Sequence, residues 1–263
     1  MYQLRPEPIP RTRIVAVANH KGGAAKTTTA VNLAAGLAKR GRRVMLLDLD
    51  PQGNASAWLG GADGLGIFSV LTEGRPVESQ LVKSTVEGLS LVPASQRLAG
   101  AERMLASELA AETTLKRRLE DTELSGWDYV VIDTPPALNL LTINALTAAD
   151  EVLVPVEAHV LALSGVAQIV ATIGLVQSRL NPKLKTTGFL LCRFDSRTRH
   201  SVEVRERLTA KFGDQVLRTV IHENIRLAEA PSFSEPIETY APSSQGAADY
   251  GALAEEIIAM ENV

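Results

Sequence analysis

The chain has 263 residues, 45% of them hydrophobic, which is enough to bury a full core, and its length suits one or two domains. A net charge of −3 gives no global pull toward nucleic acid or anionic lipid. One cysteine, Cys192, excludes a disulfide framework and a cysteine-only metal site and fits a reducing cytosol, and no apolar run has the length of a membrane span.

Residues 1–12, with Pro6, Pro8 and Pro10, read as an extended N-terminal tail, and a single domain is expected over 13–263. Short apolar runs then alternate with amphipathic stretches. Strands are expected at 13–18, 43–48, 88–93, 128–133, 151–156, 187–193 and 216–221, nearly continuous in β-branched and apolar residues as strands buried on both faces are. Helices are expected at 26–40, 97–121, 139–149, 161–180, 200–212 and 246–261. The rhythm predicts an α/β fold, a mostly parallel twisted sheet flanked by helices, with ligands at the carboxyl ends of the strands.

Just there, after the first strand, stands Lys21-Gly22-Gly23-Ala24-Ala25-Lys26-Thr27-Thr28. A strand, a glycine-containing loop and a helix opening on Lys-Thr make a phosphate cradle. Backbone N–H groups point at the anion and the helix dipole favours negative charge. Lys26 would reach the β- and γ-phosphates of a nucleotide and Thr27 would ligate Mg²⁺.

Two further strand tips carry acids. Asp133 ends an apolar run before Thr134-Pro135-Pro136 and suits a Mg²⁺ partner, although a strand-end Asp also caps a following helix. Asp48 and Asp50 flank the second tip, and strand alternation puts both on one side, toward the phosphates. One would hold the metal through water and the other orient an attacking water; the plain alternative is a polar turn at Pro51-Gln52-Gly53-Asn54. Residues 179–218 hold ten Lys/Arg against four acids, +6, while the rest of the chain is −9, which suggests one face able to meet a polyanion.

Lys21 is not part of the general P-loop formula. With it, the chain resembles the ParA/MinD class of deviant Walker A P-loop ATPases, and within that class the short chromosomal Soj/ParA branch. The matching pieces are Asn19–Gly23, Lys26–Ala34, Leu47–Ala55, Asp133–Pro136, Asp195–Thr198 and Arg226–Ser232. The resemblance implies an ATP-dependent homodimer, closed face to face, with Lys21 crossing to the partner's phosphates. It also makes Asp50 the acid that orients water, with Asp48 and Asp133 near the metal and Asn224 beside the adenine. The dimer would bind double-stranded DNA without sequence preference. Arg197 and Arg226 match DNA-contacting arginines, and Arg199 and Arg205 are their neighbours; a solvated helix face is the bland alternative. A ParB-like partner would stimulate hydrolysis and release the DNA, in a cytoplasmic, nucleoid-associated cycle of chromosome or plasmid partitioning.

Three departures stand out. Ala25 replaces the glycine before Lys26, and if the position needs φ > 0 it costs about 1–2 kcal/mol. His222-Glu223-Asn224 stands where the family reads Pro-Arg-Asn, placing a negative charge for a positive one. His20 replaces a glutamine. The chief alternative is therefore a hydrolysis-impaired or nucleotide-free DNA- or partner-binding scaffold. A MinD-like membrane ATPase fits less well, because the acidic stretch 253–263 is no basic membrane helix, so no membrane partner is expected.

Overall fold

Eight apolar or alternating runs pair into one sheet in the computed structural model, which describes residues 11–61, 64–159 and 162–262. They are β1 (Arg13–Val17), β2 (Val44–Asp48), β3 (Val82–Lys83), β4 (Leu89–Val92), β5 (Tyr129–Asp133), β6 (Glu151–Glu157), β7 (Lys185–Phe194) and β8 (Val216–His222). Their spatial order is β3-β4-β2-β5-β1-β6-β7-β8, parallel throughout except for the two-residue β3. β1 lies between β5 and β6, so its tip is the centre of the carboxyl edge.

The helices are α1 (Lys26–Lys39), α2 (Asn54–Trp58), α3 (Ile67–Glu73), α4 (Leu98–Leu105), α5 (Thr114–Glu120), α6 (Leu140–Ala148), α7 (Ala162–Arg179), α8 (Arg199–Phe212), α9 (Ile225–Glu229), α10 (Ile237–Tyr240) and α11 (Gln245–Ala259). Alternation along β1 divides the interior in two. Val15 and Val17 pack with Leu33 and Leu37 of α1 and Tyr250, Leu253 and Ile257 of α11. Ile14, Ala16 and Ala18 face the other way, into a core shared with Leu71 of α3, Leu115 of α5, Leu146 of α6 and Ile169 of α7. The expected α/β fold is therefore present, doubly wound and in one domain.

Two expectations change. The helix expected over 97–121 is two helices, because α4 ends near Leu105 and the chain reverses at Ala110, with φ 55. Leu109 keeps the helical period in sequence yet is 93% exposed, since no core lies beneath it. Asn144 fixes the restart: its side chain accepts from Leu115 N–H at 2.9 Å and donates to the Ala111 carbonyl at 2.9 Å. At the N-terminus, residues 1–10 of the expected tail and residue 161 of the expected helix lie outside the described residues. Thr12 is already docked, its hydroxyl 2.8 and 2.7 Å from the carbonyls of Leu124 and Trp127.

The acidic last helix has its apolar face covered, with Tyr250, Leu253, Ala254 and Ile257 buried. Beyond it Glu261 pairs with Arg42 and accepts from the Tyr129 hydroxyl. No helix among the described residues is long and apolar enough to cross a membrane.

Gly66, before α3, has φ 50 and ψ −135, and a Cβ there would lie 1.9 Å from the Pro93 carbonyl oxygen. Gly66→Ala is expected to destabilise the protein by about 3 kcal/mol, through strain and overlap together, read as a lowered midpoint in urea unfolding.

Candidate functional site

Residues 18–25 turn from the tip of β1 into α1. Gly23 has φ 77 and Ala25 φ 61, both left-handed. The Ala25 carbonyl accepts the first helical bond of α1 from Thr29 N–H at 2.8 Å. No described side chain caps α1, so its leading N–H groups are left to an external acceptor. Position 25 thus does need φ > 0, at the cost of about 1–2 kcal/mol that an L-alanine carries there. Ala25 also packs against the α1-side core, which offsets part of that cost.

The loop faces a cavity of about 830 Å³. Gly22, Gly23, Ala25, Lys26, Thr27 and Thr28 line one side, with Asp50, Gln52, Asn54 and Pro136 beside them. Cys192, Arg193, His222, Glu223, Asn224, Leu227 and Tyr250 line the other end. Asn224 also caps α9, its side chain accepting from Arg226 N–H at 2.9 Å. Glu223 therefore belongs to the cavity wall. Ala24 is buried and is not among the lining residues.

The three carboxylates differ in what holds them. Asp48 and Asp50 do not share one exposed side, because β2 ends at Asp48 and the chain then turns, Gly53 N–H bonding the Asp50 carbonyl at 2.8 Å. Asp48 is fully buried and does not line the cavity. Its oxygens accept from Ser56 N–H at 2.8 Å, Ser56 Oγ at 2.6 Å and Asp50 N–H at 3.1 Å. Burial raises its pKa, against the pull of the Ser56 bonds. Asp50 does line the cavity, one oxygen fixed by Gln52 N–H at 2.9 Å.

Asp133 is the informative one. It is completely buried, and neither carboxylate oxygen has a properly formed hydrogen bond among the described residues. Burial and the charge of Asp48 push its pKa well up, while Thr27 and Lys26 act the other way. Lys26, 6% exposed, donates from Nζ to the Lys21 carbonyl at 3.1 Å. Burial lowers its pKa, and the charges of Asp133 and Asp50 oppose that.

Lys21 turns away from this cavity. Its Nζ bonds Glu157 at the carboxyl end of β6, 3.0 Å away, and Arg193 Nη1 reaches the same carboxylate at 3.1 Å. The sequence reading missed both residues. Glu157 carries the same signal that marked Asp133, an acid at a strand tip.

The four arginines lie outside the cavity lining. Arg197 grips Asp195 with two bonds of 2.9 Å and holds that carboxyl down at about 2. Arg205 lies over the Phe194 ring, 5.9 Å from its centre. Arg226 pairs with Glu229 at 2.8 Å, and Arg199 opens α8. A hydrogen bond from Glu223 N–H to the Phe194 carbonyl ties the segment before α9 to the one before α8, bringing Arg197, Arg205 and Arg226 to one corner. The +6 stretch is not one face, however. β7 runs from Lys185 at the amino edge to Arg193 at the carboxyl edge, and α8 returns toward Lys211. The basic residues are therefore shared between opposite edges of the sheet.

An AAA domain family matches residues 12–186. The chain is 47% identical to the chromosome-partitioning ATPase Soj of Thermus thermophilus, covering 95% of this chain and 96% of that protein. It is 46% identical to the sporulation initiation inhibitor protein Soj of Bacillus subtilis, over 94% and 98%. Among solved structures it resembles a cobyrinic acid a,c-diamide synthase of Mycobacterium smegmatis with bound ADP and magnesium, with a TM-score of 0.82, 39% identity and 94% of each chain covered. With its parallel sheet, its Lys21–Thr28 loop and these likenesses, the chain belongs to the ParA/MinD superfamily of P-loop ATPases, on the Soj/ParA branch.

Proposed function

We propose that this chain is a Soj/ParA-type partitioning ATPase that binds Mg-ATP in the cavity before α1 and closes on a second copy. The closed dimer holds duplex DNA without sequence preference and lets go when a ParB-like partner stimulates hydrolysis. One observation carries this reading: the uncapped start of α1, with Lys26, Thr27 and Thr28, faces an 830 Å³ cavity backed by Asp50 and by the unbonded carboxylate of Asp133. The name of the T. thermophilus relative, a chromosome-partitioning ATPase, supports ATP hydrolysis and chromosome partitioning. The M. smegmatis chain bears a different activity name, and what it lends is the fold and a place for a magnesium nucleotide.

Each residue has a task in this scheme. The loop N–H groups and the buried Lys26 ammonium bind phosphate oxygens, and they are in place before the substrate arrives. Asp50 accepts a hydrogen bond from the attacking water and orients it toward the γ-phosphorus. The bond to the β–γ bridging oxygen breaks, leaving ADP and phosphate. Lys21 of the second copy adds positive charge where negative charge develops.

The residues fit Mg²⁺. Thr27 and Asp133 would hold it with Asp48 behind them, and bound there it would neutralise phosphate charge. No group of three or more His, Cys, Asp or Glu side chains among the described residues is placed to hold a metal alone. The ion therefore needs the nucleotide's oxygens, as is usual for Mg²⁺.

The Ala25 methyl group at the cavity favours a second reading, a scaffold with no working nucleotide cycle. Ala25→Gly is expected to relieve strain that is already present without ligand, and to tighten Mg-ATP binding, measured by titration calorimetry, only in so far as the Ala25 methyl group at the cavity obstructs the phosphates. Undetectable binding in the parent beside tight binding in the variant would favour the scaffold. Light scattering with and without ATP, beside a DNA mobility shift at two salt concentrations, tests the main reading. A monomer in all conditions would end it. Replacing Arg197 and Arg226 by alanine should abolish ATP-dependent duplex binding and leave nucleotide affinity within about twofold. Replacing one alone should lower the slope of log K against log salt by about 2, one phosphate contact per copy. Loss of nucleotide affinity as well would assign those arginines to the pocket or the fold.

A further inference from the structure

Glu157 bridges two parts of the chain. Its carboxylate bonds Lys21 in the loop before α1 and Arg193 near the tip of β7. The Lys21 backbone is separately fixed, its N–H donating to Asn19 Oδ1 at 3.2 Å while Asn19 Nδ2 donates to the Pro155 carbonyl at 2.6 Å. Only the Lys21 side chain has to move for the pair to open.

Arg193 reaches Glu157 because β7 is bulged there. Pairing with β8 passes from Cys192↔Ile221 to Phe194↔His222, and Arg193 is skipped. Strict alternation would send Cys192 and Phe194 to the same core, yet Cys192 enters the α1-side core and Phe194 the opposite one. The extra residue has φ 52, left-handed without being glycine, and its side chain is 59% exposed at the cavity. Backbone strain of this kind, held at a ligand cavity, is a mark of function.

The two cations are unequal in their duties. Lys21 is required elsewhere under the reading above, whereas Arg193 can stay. The Glu157 side chain is 20% exposed, so losing both cations would leave a poorly solvated charge. Burial alone would raise its pKa, and the Lys21 bond with the charges of Lys21 and Arg193 brings it below the usual value.

We propose that Glu157 holds Lys21 back in the single subunit, and that Arg193 is a positioning residue that frees it by keeping a cation on Glu157 when Lys21 crosses to the second copy. The inference rests on the role of Lys21 given under Proposed function. It makes the Lys21–Glu157 pair a threshold against closure and Arg193 the residue that lowers it.

The experiment measures the dimer dissociation constant in Mg-ATP by sedimentation, and Mg-ATP affinity of dilute single subunits by fluorescence titration. Glu157→Gln should tighten the dimer about two- to fivefold, the range for a partly exposed ion pair. Arg193→Gln should weaken it by a similar factor, and in the Glu157→Gln background it should have no effect. Nucleotide affinity of the single subunit should be unchanged in Glu157→Gln, since Glu157 does not line the cavity. Additive effects of the two substitutions would overturn the inference, as would weaker nucleotide binding to single Arg193→Gln subunits, which would make Arg193 a nucleotide ligand. Lys21→Ala separates the layers. If it dimerises like the parent, the role of Lys21 itself is wrong; if it fails to dimerise while Glu157→Gln matches the parent, only the latch is wrong.

Discussion

The site depends on a charge imbalance kept away from water. Lys26, Asp48, Asp50 and Asp133 are all 6% exposed or less, at the carboxyl ends of neighbouring strands or the start of α1. One ammonium cannot balance three carboxylates in a medium where unpaired charge is costly. Asp48 is partly relieved by Ser56 and by the Asp50 N–H, and Asp50 by the Gln52 N–H. Asp133 has only Thr27 and the Lys26 charge acting in its favour, with no fully formed hydrogen bond among the described residues. Burial raises the pKa of Asp133 and Asp48, so protons meet part of this demand for positive charge in the free protein, directly behind a loop of N–H groups that attract negative charge. A magnesium nucleotide answers both demands at once, and this explains why anion cradle and acids occupy adjacent strand tips.

Backbone strain is placed where it bears on the same cavity. Four non-glycine residues among those described are left-handed, and two of them, Ala25 and Arg193, line it. Ala25 keeps the conformation because Thr29 N–H holds its carbonyl and the α1-side core holds its methyl group. Arg193 keeps its own because the flanking Cys192 and Phe194 are committed to opposite cores. In both cases packing on either side over-determines one residue, which is the condition for strain to persist.

The sheet was legible because strands buried on both faces are nearly continuous apolar runs, and those runs locate seven of the eight strands to within one or two residues at most ends. The two-residue β3 has no such run. The break between α4 and α5 was hidden for a definite reason: Leu109 continues the helical period, and only Asn144, far along the chain, shows where the helix restarts. The loop from Lys21 to Thr28 was legible because its function is backbone-borne and local. The bond from Lys21 to Glu157 joins residues 136 apart, and no spacing rule reaches that far. Alternation failed at Asp48 and Asp50 because the strand stops between them.

Charge counting was the weakest guide, and the reason is geometric. A strand and the helix after it run in opposite directions, so a basic stretch covering both is divided between the two edges of the sheet. Several of its cations are also engaged: Arg197 with Asp195, Arg207 with Glu203, Arg218 with Glu256. The pairs exposed on both sides are weak, so a phosphate can displace the carboxylate, but at a discount to the apparent charge. Under the proposed function, what would suit the Arg197, Arg205 and Arg226 corner to a polyanion is thus its position. It lies next to the cavity wall formed by Glu223 and Asn224, so a second copy docking over the cavity would bring two such corners together. Doubling a weak patch raises affinity through effective concentration without altering either patch. Under that reading, DNA binding would follow nucleotide state while every arginine keeps its local partners in the single subunit.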